Sequence, residues 1–134
     1  HRDDSSLFTA EEQATIYAHL PATAWISDVA HDTDLSNQVL KQVFGREGEE
    51  VYFGDTLSPE DLHRCRAWGS YIVQERVWSD PITATIRTSA GPQVATLWPV
   101  LGSYTLHGQW GGYYTRLGSR ITTAHAKYVA TLYE

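Results

Sequence analysis

The spacing of hydrophobic residues gives the chain a first part with helical periodicity and a second part with strand periodicity. Residues 8–20 are predicted to form a helix, because their apolar positions recur at helical spacing and Thr9 can cap the first turn. Pro21 breaks or restarts this helix. Residues 22–30 are then expected to continue it, with their large apolar side chains on one side.

Two more helices and a short strand are predicted before the periodicity changes. A helix is expected over residues 35–44, between a capping Asp34 and a terminating Gly45. Residues 49–54 are a candidate strand. A short helix is predicted over residues 58–69, because a serine, a proline and two acidic residues form a strong helix start.

From residue 70 onward the pattern alternates with a period of two, which predicts strands. The candidate strands are residues 71–79, 82–88, 93–106, 109–117 and 120–133. Because the connections between them are short, we expect an antiparallel meander, and hence an α+β fold with the helices packed on one face of a sheet. Several strands are apolar on both faces, so the other face is expected to pack on a second copy of the chain in a homodimer.

Length and composition limit the class of protein. The 134 residues fit one domain, residues 1–134, of which residues 1–7 are expected to be a loose terminus. A net charge of −6 with scattered Lys and Arg argues against nucleic-acid binding, and no apolar run is long enough for a membrane span. The lone Cys65 can form no internal disulfide, which favours a cytoplasmic protein. Because the chain begins at His1, its native start is expected to have been trimmed, replaced or not included, and the sequence given shows no signal peptide.

Three segments resemble a known family. Residues 111–117 read GGYYTRL and are followed by GSRITTAH, which resembles the late strand pair G-x-Y-x-D-x-L and W-R-I-x-H-R of the SnoaL-like branch of the nuclear transport factor 2-like superfamily. Residues 34–54 resemble the D-x-x-x-L-x-x-x-F segment that precedes the first strand of that family. Residues 78–82, WSDPI, resemble the S-N-P-x-V that opens its third strand.

The resemblance implies a cone-shaped, cystatin-like domain with a curved antiparallel sheet around a buried pocket. It further implies a cofactor-free cyclase, isomerase or dehydratase that acts on a small hydrophobic, polyketide-type substrate. Thr115 stands where the family usually has Asp, and Ser119 where it usually has Trp. The dehydratase histidine of the third strand has no counterpart in residues 74–77, which favours cyclase or isomerase chemistry.

Asp28 is the leading candidate for an acid or base. It matches the aspartate that the resemblance places near the first helix, and burial in a cavity would raise its pKa into a useful range. The alternative is a solvated carboxylate at a helix end. His107 and His125 are candidates to assist, with a strand-end loop and a surface or interface position as the competing interpretations.

The candidate substrate-binding residues are aromatic side chains and one arginine: Tyr17, Trp25, Tyr52, Arg76, Trp78, Trp98 and Tyr113. Arg76 lies mid-strand, so it either faces solvent or binds an anionic ligand group. No metal or cofactor motif is present. Cys65 has basic neighbours that could lower its pKa, but a lone helical cysteine is more often inert. The remaining histidines are interpreted as ordinary helix or turn residues.

Three classes of function therefore stay open. The first is an enzyme with a buried, pKa-shifted polar group in a cavity. The second is a non-catalytic ligand-binding or association domain, because the same fold hosts both. The third is a small structural subunit of a larger assembly.

Overall fold

The computed structural model of the chain describes residues 7–131. These form an α+β fold, as the sequence predicts. The elements in chain order are α1 (Ala10–His19), β1 (Thr23–Trp25), a 3₁₀ turn (Ile26–Asp28), β2 (Gln38–Gln42), β3 (Val51–Phe53), α2 (Pro59–Trp68), β4 (Tyr71–Glu75), β5 (Ile82–Thr88), β6 (Gly91–Leu106), β7 (Gln109–Gly118) and β8 (Lys127–Val129). Residues 1–6 of the predicted loose terminus, which was expected over residues 1–7, and the last residues of the final predicted strand lie outside the described part.

The described residues divide into two compact units. The first comprises the residues up to 45 together with 50–77, and the second comprises 46–49 and the residues from 78 onward. In the first unit the four antiparallel strands run in the order β1-β4-β2-β3. Its core joins the sheet, the 3₁₀ turn and α2 through Ile26, Leu35, Leu40, Cys65, Tyr71 and Val73.

Both helices begin as their sequences predict. The hydroxyl oxygen of Thr9 accepts a hydrogen bond from the backbone N–H of Glu12, whose carboxylate in turn accepts from the backbone N–H of Thr9. The hydroxyl oxygen of Ser58 accepts from the backbone N–H of Asp61 at 3.0 Å. At the end of α2, Gly69 adopts a left-handed conformation with φ 72°. These contacts satisfy backbone groups that a helix end leaves unpaired.

Two predicted helices are wrong. Residues 22–30 form β1 and the 3₁₀ turn, and residues 35–44 contain β2. β2 pairs with β3 on one side and with β4 on the other, so tertiary pairing decides a segment whose local pattern also fits a helix. Asp34 caps no helix; its carboxylate accepts from the backbone N–H of Ser36 at 2.9 Å and closes a turn.

The second unit is the predicted meander, in the order β5-β6-β7-β8. The boundaries differ in three places. The strand expected over residues 71–79 is β4, which ends at Glu75 and belongs to the first sheet. Residues 91 and 92, predicted to form a break, begin β6. The strand expected from residue 120 is only the three-residue β8 in the described part of the chain.

β6 is sixteen residues long and pairs with different neighbours along its two halves. Residues 91–97 pair with β5, and residues 98–106 pair with β7. Both helices belong to the first unit. The second unit therefore carries exposed apolar side chains on both sides of its sheet: Val94, Tyr104 and Tyr128 on one, and Ile82, Leu101 and Tyr113 on the other.

Candidate functional site

A groove of about 450 Å³ runs along one side of α2. This volume lies in the range of small-molecule sites, which is roughly 300–1,000 Å³. Five of its residues lie on one face of the helix, at positions i, i+3, i+4, i+7 and i+8, and the sixth comes from the turn after the 3₁₀ segment. The lining residues are His31, Pro59, Leu62, His63, Arg66 and Ala67.

Arg66 fixes the turn that forms the far side of this groove. Its Nη1 donates hydrogen bonds to the carbonyl oxygens of Ile26 at 3.3 Å and of Val29 at 2.9 Å. Its Nη2 donates to the carbonyl oxygen of Ala30 at 3.0 Å. One side chain thus bonds three carbonyls of a short, irregular segment, two of which also accept a backbone N–H, and this holds His31 beside the helix.

The opposite face of α2 anchors the helix in the core. Cys65 is fully buried, and this burial raises the pKa of its thiol. Its basic neighbours in the sequence do not produce a lowered pKa, so the thiol is poorly suited to act as a nucleophile. The surroundings of Cys65 therefore fit an inert helical cysteine and not a reactive one.

A polar cluster lies on another side of α2. Oε2 of Glu50 accepts hydrogen bonds from the hydroxyls of Tyr52 and Tyr71, each at 2.6 Å. Nη2 of Arg64 donates to the Tyr52 hydroxyl oxygen at 2.9 Å and forms an ion pair of 2.7 Å with Asp61. The cluster thereby links β3, β4 and α2.

The hydrogen bonds of this cluster set the protonation states of its members. The Tyr52 and Tyr71 hydroxyls lower the pKa of the Glu50 carboxyl. Burial, followed by the bond to Glu50, raises the pKa of Tyr71 well above its usual range, and the bond to Glu50 raises the pKa of Tyr52. A carboxylate with a lowered pKa is a weak base, so the cluster is suited to joining elements and not to proton transfer.

Arg76 is buried and does not face solvent. Its Nη1 lies 2.9 Å from Oδ2 of Asp55, and its guanidinium carbon lies 4.3 Å from the ring centre of Phe53. The sequence offered solvent or an anionic ligand group for Arg76, and the structure instead pairs it with an aspartate of the same unit. This arrangement satisfies the general requirement that a buried arginine be paired.

The structure places the three candidate catalytic residues at exposed positions. Asp28 ends the 3₁₀ turn, and its carboxylate accepts a hydrogen bond from the hydroxyl of Ser27 at 3.0 Å. His107 lies in the turn between β6 and β7 with φ 52°, and His125 lies in the loop before β8. The burial that would make Asp28 a useful acid or base is not found at this position.

The predicted aromatic residues divide between the two units. Tyr17 and Trp25 are exposed in the first unit, where Tyr52 belongs to the Glu50 cluster. In the second unit, Trp98 is half-buried, whereas Trp78 and Tyr113 are exposed. The ring of Tyr113 lies 5.1 Å from that of Trp110, and the guanidinium of Arg120 lies 5.5 Å from the ring of Trp78.

The groove residues His31, His63 and Arg66 were missed as a site by sequence reasoning. The helix α2 is correctly predicted, and the spacing of residues 59, 62, 63, 66 and 67 places them on one of its faces. The sequence therefore contained a signal for the helical side of the groove. The hydrogen bonds from Arg66 to a turn some forty residues earlier leave no trace in the sequence.

Residues 7–131 contain no group of three His, Cys, Asp or Glu side chains arranged to hold a metal ion. Across this same stretch, no helix has the length and apolar character needed to cross a membrane. No protein-family model matches the chain, and no curated protein sequence matches it significantly.

Proposed function

We propose that the chain binds a small, largely hydrophobic organic molecule in the α2 groove. The observation that carries this proposal is the groove itself, in which apolar Pro59, Leu62 and Ala67 lie beside three nitrogen-bearing side chains. A mostly apolar lining with a few convergent polar groups is the usual composition of a ligand site. The turn that completes the groove is fixed in advance by Arg66, which lowers the entropic cost of binding.

The catalytic form of this proposal is a cofactor-free cyclisation, isomerisation or dehydration of a polyketide-like substrate in the cytoplasm. Its support is the SnoaL-like resemblance of the late strands together with the antiparallel order of β5 to β8. The early part of the resemblance weighs against it, because residues 35–44 contain a strand. His31 and His63 line the groove and Asp28 does not, so the two histidines are better placed than Asp28 to exchange a proton with a bound molecule.

Fragment screening by protein NMR tests the binding proposal. We expect small aromatic ketones and phenols to shift the amide resonances of α2 and of residues 26–31. The variant Ala67→Trp fills the groove from an exposed position and should abolish these shifts, whereas Ala18→Trp on α1 should not. Shifts that persist unchanged in Ala67→Trp would place the ligand elsewhere and refute the proposal.

A second candidate function is association with another copy of the chain through the β5–β8 sheet. The observation that favours it is the set of exposed apolar residues on that sheet.

Sedimentation velocity distinguishes the two faces of this sheet. If the Tyr128 face forms a dimer, Tyr128→Glu should yield a monomer and Leu101→Glu should leave the dimer intact. The reverse result assigns the other face. A monomeric wild-type protein at high concentration excludes the association function.

A further inference from the structure

The ionisable side chains of the α2 groove all have the same sign. Of its six lining residues, Arg66, His31 and His63 can carry positive charge and none is acidic. Of the two acidic residues of α2, Asp61 is paired with Arg64, whereas Glu60 lies one turn before His63, at the border of the groove and outside its lining. The ionisable groups that line the groove are therefore all basic, on a chain whose net charge is −6.

The positive charge of Arg66 is not neutralised by an acid within the described residues. Its three hydrogen bonds go to neutral carbonyl oxygens, and no Asp or Glu of residues 7–131 forms an ion pair with it. A guanidinium has five N–H donors, so two remain after these three bonds. A half-buried guanidinium with remaining donors is a natural partner for a carboxylate.

The two histidines add donors from either wall. His63 lies one helical turn before Arg66, and His31 follows the segment that Arg66 holds. Each imidazole donates one N–H when neutral and two when protonated. An anionic group near Arg66 could thus accept hydrogen bonds from the helix and from the turn, while Pro59, Leu62 and Ala67 contact an apolar body.

We propose that the ligand of the α2 groove is a small organic carboxylate, with its carboxylate among His31, His63 and Arg66 and its hydrocarbon part against Pro59, Leu62 and Ala67. This inference rests on the proposed ligand-binding function and names the chemical class of the ligand. It does not depend on whether the bound molecule is converted. Because the net negative charge of the chain repels anions at long range, a preference for a carboxylate has to come from the groove itself.

A matched pair of probes tests the inference: naphthoate and its neutral amide, naphthamide, titrated by NMR and calorimetry. The two share one apolar body and differ in charge. We expect naphthoate to bind about tenfold more tightly, the factor that one charge-assisted hydrogen bond typically gives. Added sodium chloride should weaken the binding of naphthoate and leave that of naphthamide nearly unchanged.

Variants locate the preference within the groove. His31 and His63 are exposed, so His31→Gln and His63→Gln should fold normally, and their combination should reduce the tenfold preference to about threefold, the remainder being due to Arg66. His19→Gln, at the end of α1 and outside the groove, is the matched control and should keep the full preference. Circular dichroism confirms that each variant is folded.

The outcomes separate the two proposals. If both probes shift the groove resonances with equal affinity, the groove is a ligand site but the carboxylate inference is wrong. If the double variant keeps the full preference, the two histidines do not hold the carboxylate, and the inference that it lies among His31, His63 and Arg66 is wrong. If neither probe shifts the groove resonances, the ligand-binding function itself fails and the inference fails with it.

Discussion

The buried hydroxyl of Tyr71 donates a hydrogen bond of 2.6 Å to Oε2 of Glu50. Glu50 adopts a left-handed backbone conformation with φ 52°, which for a residue other than glycine costs roughly 1 kcal/mol or more. The bonds from Tyr71 and Tyr52 to the same carboxylate oxygen offset this cost. They also join the entry to β3, at the edge of the first sheet, with the start of β4.

Removing the Tyr71 hydroxyl should destabilise the protein more than removing that of Tyr52. Tyr71→Phe leaves a charged acceptor with one donor fewer at a buried position, for an expected loss of about 2 kcal/mol. Tyr52→Phe, at a partly exposed position, should cost about 1 kcal/mol. Urea denaturation measures the free energy of unfolding of both variants, and Tyr113→Phe on the exposed sheet is a near-neutral control. Equal losses for the two variants would show that the burial of Tyr71 contributes nothing.

The hydrogen bonds of the Glu50 cluster make the stability of the folded protein depend on pH in the acid range. The pKa of Glu50 is lowered in the folded protein, so its contribution is present above its ordinary value of 4.5 and is lost as the pH falls through the lowered value. The stability difference between wild type and Glu50→Gln should therefore be largest at neutral pH and shrink below pH 4.5. If the stability difference between wild type and Glu50→Gln is constant from neutral to acid pH, the pKa of Glu50 is not lowered in the folded protein.

At alkaline pH, Tyr71 gives a stability change in the opposite direction, because its contribution is lost as the pH rises. The pKa of Tyr71 is raised, so its contribution is complete below its ordinary value of 10.0 and declines as the pH rises further. Tyr71→Phe should therefore lose part of the alkaline destabilisation seen in wild type. Tyrosinate absorbance of the folded protein should show at least one tyrosine that ionises only when the protein unfolds.

Arg66→Lys should loosen the turn beside the α2 groove. A lysine ammonium cannot reproduce the planar set of bonds to Ile26, Val29 and Ala30, and we expect a loss of about 1–2 kcal/mol. Hydrogen exchange of the Val29 and Thr33 amides, which donate to carbonyls within this segment, should accelerate. The exposed Arg87→Lys is the control and should leave both amides unchanged.

The two helix caps should differ in their effect. Ser58→Ala should lower global stability by about 1 kcal/mol, because α2 carries the buried Cys65. Thr9→Ala should act mainly on α1 itself, which has no buried residue and is short enough to be marginal without packing. Amide exchange in α1 should rise while the urea midpoint stays close to that of wild type. A large shift of that midpoint in Thr9→Ala would mean that α1 is coupled to the core.

Glycine substitutions separate steric exclusion from backbone strain. A Cβ on Gly54 would lie 1.7 Å from the carbonyl oxygen of Leu35, so Gly54→Ala should prevent normal folding of the first sheet. A Cβ on Gly69 meets nothing within 4 Å, and only its left-handed φ of 72° opposes the change. Gly69→Ala should therefore cost about 1 kcal/mol. Thermal unfolding of the two variants should differ clearly; similar melting points would refute the steric argument.

The sequence predicts those elements whose signals are local. The starts at Thr9 and Ser58, the stop at Gly69 and the strand at residues 82–88 are confirmed. Each depends on a cap, a left-handed glycine or a run of β-branched residues, and these act over a few positions.

The elements that the sequence does not predict depend on distant contacts. Residues 35–44 fit a helix by spacing, but their middle part forms the strand β2 because β3 and β4 flank it. Arg76 is bonded to an aspartate twenty-one positions away, and Arg66 to carbonyls still more distant. No spacing rule encodes such partners, which is why the groove beside Arg66 emerges only from the fold.

β6 pairs with β5 along one half and with β7 along the other, and this determines how the second unit tolerates an inserted or deleted residue. Because β5 pairs only with residues 91–97 and β7 only with residues 98–106, no hydrogen-bonded rung spans the junction between Leu97 and Trp98. One residue added at that junction would leave each ladder in register. Because successive side chains of a strand point to opposite faces, the added residue would move the side chains of one hairpin to the other face relative to those of the second hairpin. Insertions and deletions at this junction are thus a simple evolutionary route by which the chain could exchange the faces it presents.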